Sequence, residues 1–388
     1  MKEKSGEKQI TVNRLPALTW YWLGMNDVKM KSSAAPVSGE IRLSLPEEVT
    51  MEDAAGGQRT DPACGGENRE DRVLFFGETA GKEDPGSKDG LGKLIEEAGI
   101  PTKRFSLKAG CRTADPLALT FRCAGSGLVL NDIQLNLEDG SSLTVLEDFL
   151  TAESAENMAG VRTSFRLGKG AVLRLIQIQK TGSRFFFVNE LTGSAGPSAR
   201  IELVQLFLGG GTTAQETRID LDGARASFCA ELGYQLRGEE KLNISYAVNH
   251  RGKKTECGIN AAGVLRDRSE KLFAGTIDFK KGSSGASGHE KEDVLLIDEQ
   301  VRNRTIPVIL CSEEDVAGSH GATIGRLDED VLFYLQSRGM DRESVYEMMA
   351  QAKLNAVIER IPVSGIQREA RCLLGGSGTD AEGDREND

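Results

Sequence analysis

Between residues 117 and 316 the chain repeats one texture: short runs of aliphatic and β-branched side chains, broken by Gly, Asp and Asn. Examples lie at 128–130, 142–146, 172–179, 201–208, 241–248 and 272–279. In the last run Phe273, Ile277 and Phe279 alternate with Ala274, Thr276 and Asp278, which predicts a strand with one buried and one wetter face. Glu138-Asp139-Gly140, Gly168-Lys169-Gly170 and Leu221-Asp222-Gly223 supply turn chemistry between runs. No helical period interrupts this stretch, which counts against a β–α–β sheet. Many short strands at near-regular spacing leave a sandwich, a barrel and a solenoid open. A two-sheet sandwich of this length would be large, which adds weight to a stacked solenoid.

At residue 328 the period changes. Asp328, Glu329 and Asp330 place acid in a first helical turn, Leu332, Phe333 and Leu335 follow, and Gly339 stands where a left-handed cap is expected. Asp341 can cap a second helix with Val345, Met348, Met349, Ala352, Ala356 and Val357 as its apolar stripe, ending near Pro362. The division expected is therefore an N-terminal segment (1–116), a strand-rich core (117–327), a helical hairpin (328–362) and a disordered acidic tail (363–388). Within the first, 72–76 reads as a short strand and 91–98 as a short helix closed by Gly99 and Pro101. Residues 52–70 and 77–90 read as loops, and the knot Trp20-Tyr21-Trp22-Leu23 reads as a segment docking on the body.

Composition narrows the class. The chain has 388 residues, 39% of them hydrophobic, enough for a sizeable core. Its 45 glycines and 10 prolines fit frequent turns. A net charge of −11 disfavours broad contact with nucleic acid or an anionic membrane. The 7 cysteines are odd in number and scattered, with no CxxC pair, which argues against a disulfide framework. MKEKSGEKQI lacks the apolar region of a signal peptide, and no run is apolar enough to span a bilayer, so a reducing cytoplasm is expected.

Catalytic fingerprints are few. His289-Glu290 does not continue to HExxH, so a zincin reading fails. Gly209-Gly210-Gly211 and the spaced Gly282, Gly285 and Gly288 lack the Lys-Ser/Thr and helix of a phosphate loop. No GxSxG motif and no nicotinamide or flavin fingerprint occurs.

The stretch 288–340, and above all SHGATIGRLDEDVLFYLQSRG from Ser319 to Gly339, resembles the C-terminal part of the SufB/SufD family of iron–sulfur cluster assembly scaffolds. Asp293, Leu295, Leu296, Pro307 and Asp315 extend the match, and LPALTWYWL (15–23) is similar to the family's entry segment. The resemblance implies a mainly β protein, a right-handed parallel β-helix followed by a small helical domain. It also implies a non-catalytic subunit that pairs through its β-helix with a SufB-like chain and docks the SufC ATPase, which carries the nucleotide site. The cluster would be a transient iron–sulfur cargo at the subunit interface, with sulfur supplied indirectly by a cysteine desulfurase.

Ser319-His320-Gly321 looks like the SufD branch. The SufB branch carries a sulfur-accepting cysteine where this chain has Lys291-Glu292-Asp293, and SufD chains often carry Cys where this one has Gly318. His320 is the family-matched candidate ligand for a nascent cluster, and Cys311 a second candidate; Gly318 and Gly321 would equally serve a tight turn around His320. For ATPase docking the candidates are Leu332, Phe333, Tyr334, Arg338, Met348 and Met349. Two other readings are a self-pairing scaffold that needs no distinct SufB, and a β-helix enzyme acting on acidic polysaccharide.

Overall fold

A computed structural model of the protein describes residues 8–12, 28–32, 36–53, 57–58, 72–74, 90–122 and 127–374. The aromatic knot at 20–23, Cys64, Cys123, the segment after 374 and most of the stretches expected as loops before 90 lie outside the described residues.

The strand-rich core is a parallel β-solenoid of about 8 turns. One sheet stacks Thr102–Leu107, Leu128–Leu137, Met158–Leu167, Phe186–Ala195, Thr212–Leu221, Lys241–His250, Glu270–Phe279 and Arg302–Cys311. The other stacks Leu117–Arg122, Ser142–Leu150, Val172–Lys180, Arg200–Leu208, Ser227–Leu236, Glu256–Leu265, Ala286–Leu296 and Val316–Gly325. Chain order alternates between the sheets, so each coil adds one strand to each. Alternation then sends every second side chain inward. Leu143, Leu173, Ile201 and Phe228 make one such inner column, all nearly solvent-free. The parallel pairing already includes Thr102–Leu107, earlier than the expected boundary at 117.

The interior is not wholly apolar. Glu147, Gln177 and Gln205 stack in register on the inner face. Thr163 donates to Glu147 at 2.7 Å, Asn189 to Gln177 at 3.0 Å and to Gln215 at 2.7 Å, and Gln215 to Thr217 at 3.0 Å. Such bonds are satisfied in one register only, so they penalise slippage between coils. At one corner Gly140, Gly170, Ser198, Arg225 and Lys254 take positive φ. Each of their amides donates to a carbonyl of the next coil, which repays the strain at the three positions that carry a side chain.

The two ends differ. At the N-terminal end Glu40–Ser44 pairs antiparallel with Leu117–Arg122, and Val49–Asp53 pairs antiparallel with Thr102–Leu107, covering the first coil. At the C-terminal end Arg302–Cys311 and Val316–Gly325 each have one strand neighbour, and no described strand covers their far edges.

Among the described residues, four helices decorate the solenoid. The helix α1 (Leu91–Glu97) packs Leu91, Leu94 and Ile95 on the outer positions Leu128, Leu130, Met158 and Val188. After the last strand come α2 (Glu329–Ser337), capped by Asp328, α3 (Arg342–Ile358), capped by Asp341, and α4 (Ser364–Leu373). The helix α3 buries Val345, Tyr346, Ala350, Leu354, Val357 and Ile358. That corrects the expected stripe: Met348 is exposed, as are Ala352 and Ala356, because the i+4 row 346-350-354-358 faces the solenoid. There Leu354, Val357 and Ile358 meet the outward Ile176, Ile178, Val204 and Leu206. The helix α4 corrects the expected start of a disordered tail at 363, since Ile366 and Ala370 join the same cluster.

Candidate functional site at the open end of the solenoid

The last coil consists of Arg302–Cys311, a turn at 312–315, and Val316–Gly325. From Ala317 onward the second of these strands is solvent-exposed throughout. His320 lies at its centre, the in-register partner of Glu290 on the strand beneath. Gly318 faces Ile309 and Phe279, since a Cβ built on it would lie 3.1 Å from each. Even-numbered positions of this strand, His320 included, therefore face the lumen. They continue the inner row Gly288, Glu290, Glu292 and Val294 of the coil below.

Cys311 ends the other strand of the coil, in register with Phe279 and, one coil deeper, His250. Both of the last are buried and their rings stack with centroids 4.8 Å apart. Cys311 and His320 thus share the open end but not one spot. Glu290 opposes Gly275 across the lumen, so in the next coil His320 opposes Pro307. Cys311 lies four residues past Pro307, roughly 13 Å along the strand. The structure does not gather the two candidate ligands round a common ion, and no group of three or more His, Cys, Asp or Glu suited to one metal occurs among the described residues.

Beneath the mouth lies a charged group that the sequence reading passed over. Glu292 accepts hydrogen bonds from Tyr234 at 2.9 Å, from Thr305 at 2.6 Å and from the Lys271 ammonium, all in the interior. Lys271 is 0% exposed; burial pulls its pKa down while Glu292 opposes that. Burial pushes Glu290 up to about 7, helped by the Glu292 charge and resisted by Lys271. Tyr234 is held well above its ordinary range by burial and by Glu292. The signal in the sequence was the period-two pair Glu290 and Glu292. In a strand such a pair ordinarily reads as a solvated face, and only the solenoid's closure turns it inward.

Cys257 is buried, with its thiol pushed up to about 12 by burial, and behaves as a small apolar side chain. His289 points outward and its Nδ1 lies 2.7 Å from the Ser319 hydroxyl on the neighbouring rung.

The helical end presents a second surface. Phe333 is 74% exposed and Tyr334 55%, with Val331 and Met348 also open. The Arg338 guanidinium stands 5.2 Å over the Tyr334 ring. Leu332 is buried and Met349 packs beside the cluster of Val264, Leu295 and Tyr346, so these two docking candidates anchor the helices instead of lining their exposed face. Lys353 pairs with Asp293 at 2.7 Å, and Arg266 with Glu343, fixing α3 to the last coils. No described helix is long and apolar enough to cross a membrane.

Residues 121–353 match the family model for the SUF system FeS cluster assembly, SufBD core domain. The iron-sulfur cluster assembly protein SufD of Bacillus subtilis is 26% identical over 243 residues, 62% of this chain and 56% of that protein. The protein of the same name from Escherichia coli is 24% identical over 290 residues, 73% of this chain and 68% of its own length. The chain thus spans a little over half of the first of these relatives and about two thirds of the second. With more than half its length under the family model, the chain belongs to the SufBD core family of the SUF iron–sulfur cluster assembly system.

Proposed function

We propose that the protein is a non-catalytic, SufD-like scaffold subunit of a cytoplasmic SUF-type complex. Its open solenoid end pairs with a SufB-like chain, and its helical end docks the SufC ATPase. The observation that carries this is the asymmetry of the solenoid: strands close the first coil, whereas no described strand covers the two edges of the last, with His320 at the mouth. Uncovered edges of this length are templates for another chain. In this reading His320 contributes an imidazole to the nascent cluster, and Cys311 offers a thiolate at the corner of the same end, each completed by donors of the partner. The exposed Val331, Phe333, Tyr334 and Met348 give the ATPase an apolar contact. Because α3 is packed on the outer face of the solenoid, force applied there reaches the last coils.

The experiment is co-expression with SufB-like and SufC-like partners, followed by anaerobic isolation and assay of iron and sulfide. A ternary complex is expected, with His320→Ala assembling normally but yielding less cluster. A chain that purifies only with itself supports the self-pairing form. Unchanged cluster yield in His320→Ala removes the role given to that residue.

A further inference from the structure

Where the first sheet hands over to the second, the turns stack into a corner, and in three successive coils that corner is basic. Arg225 belongs to the turn after Thr212–Leu221, Lys253 and Lys254 to the turn after Lys241–His250, and Lys281 to the turn after Glu270–Phe279. All four are exposed, in a chain whose net charge is −11. The neighbouring acids are already engaged. Arg251 holds Asp220 and Asp222 at 3.4 and 3.5 Å, and Lys280 holds Asp278. In the last coil Glu313 accepts from the Gly282 amide and Asp315 from the Ser284 hydroxyl, both at 2.8 Å. Arg225, Lys253, Lys254 and Lys281 enter no ion pair among the described residues. Rungs of a sheet are ~4.8 Å apart, inside the ~8 Å screening length of physiological salt, so these cations repel one another. Two of them also strain the backbone: Arg225 and Lys254 have φ of 60° and 56°, where a side chain is disfavoured and glycine is not. Other coils place Gly140, Gly170 and Gly285 at the same position. The stack needs only an amide there, which Arg225 donates to the Lys253 carbonyl at 2.9 Å and Lys254 to the Ser284 carbonyl at 3.0 Å. The Lys254 stem lies over the next turn, since a Cβ on Gly285 would sit 3.0 Å from its Cγ.

We propose that this corner docks a short acidic segment of another protein. Empty, the four cations destabilise the fold through mutual repulsion and through strain at two left-handed positions. Carboxylates laid across them remove the repulsion, so the arrangement makes physical sense as a binding surface. The basic turns span two rung steps, roughly 10 Å, which about three residues of an extended chain cover. A short run of Asp and Glu therefore matches the ridge. A nucleic acid matches it less well. The turns 222–226, 251–255 and 280–285 hold no aromatic side chain on which a base could stack. The same corner turns acidic in the last coil, at Glu313, Glu314 and Asp315, so a long polyanion continuing along the axis meets repulsion. That acidic turn also fixes which way the segment runs, from Lys281 toward the closed end. The basic turns lie below the last coil, so a segment held there is compatible with pairing at the open end and does not depend on it.

The test is fluorescence anisotropy of a labelled ten-residue glutamate peptide titrated with the full chain at 0.15 M salt. One saturable site per chain is expected, weakening as salt rises. Arg225→Gly with Lys254→Gly should weaken it at least tenfold. The same double variant relieves strain and repulsion, so its urea midpoint should rise above the parent. A structural role for the two side chains would instead lower the midpoint, and that result overturns the proposal. Lys93 and Arg184 are exposed cations paired with Glu97 and Glu156 away from these turns. Lys93→Ser with Arg184→Ser removes equal charge and should leave peptide affinity within twofold. A loss as large as that of the glycine variant would mean that net charge alone attracts the peptide, and the corner is then no site. Absence of saturable binding by the unaltered chain overturns the proposal, as does unaltered affinity in the glycine variant. Tighter binding of a single-stranded RNA of matched charge would assign the corner to nucleic acid and overturn the protein partner.

Discussion

Tyr234 donates a 2.9 Å hydrogen bond to Glu292 across an intervening coil, although the two residues are 58 positions apart. The coil between them contributes Gly263 at that inner position, and a Cβ there would lie 1.8 Å from the tyrosine ring. Phe165 leans over Gly193 in the same way. Missing side chains thus give long ones room to run along the axis, and a rung-by-rung column becomes a link between coils.

Gly263→Ala should accordingly cost about 1–3 kcal/mol by overpacking against the ring. Urea unfolding followed by circular dichroism measures it. In a Tyr234→Leu background the alanine should cost much less, because the ring it strikes is gone. Equal costs in the two backgrounds would show that the ring is not what the methyl meets.

The Lys271–Glu292 pair sits in the same interior, with side chains 0% and 1% exposed. Removing one member leaves a buried charge without its partner, which costs about 3–5 kcal/mol. Lys271→Leu and Glu292→Leu should each show that loss. The double variant should recover a large part of it, since an apolar pair of similar volume needs no compensation. A double-mutant cycle in urea reads the coupling directly. Simple additivity of the two losses would exclude a paired role.

The strand-rich core and the switch to helices at 328 were legible from period alone, because alternation and turn residues are local signals. The solenoid itself was not. Residues 272–279 promised a wet outer face, yet Thr276 and Asp278 are nearly as buried as Phe273. The helix α3 misled in the same manner: its true stripe is set by Ile176 and Val204, more than a hundred residues earlier in the chain. His320 became a candidate through a contiguous motif. Glu290, Lys271 and Tyr234 did not, since three distant rungs meet only after the coils stack.

The exposed aromatic pair on α2 separates docking from folding. Phe333→Asp with Tyr334→Asp alters side chains that are 74% and 55% exposed, so stability should stay within about 0.5 kcal/mol of the parent. Co-purification of the ATPase should be lost, while pairing through the solenoid end persists. Pull-down with each partner separately measures both. Retained ATPase in the double variant would assign docking to another face.

Acidity provides a global check on the buried carboxylates. Glu147 and Glu190 are each pushed up from 4.5 to about 7, chiefly by burial. For Glu190 the neighbouring Glu216 adds to the rise, while Arg162, Arg218 and the Gly92 amide of α1 resist it. The folded chain therefore holds protons that the unfolded chain has released, and its stability falls as pH rises through about 7. Full ionisation weakens the fold by on the order of 3 kcal/mol for each such group. His250 is moved the other way, down to about 4, so it penalises the fold only below its ordinary 6.5. Between pH 6.5 and 8.5 Glu240 and Glu290, also pushed up to about 7 by burial, act in the same direction, and the urea midpoint should drop. Glu190→Gln replaces the group that gains charge with a neutral one, so its midpoint should fall less steeply and lie above the parent at pH 8.5. A parent midpoint that stays flat over this interval would mean that both carboxylates ionise freely in the folded chain.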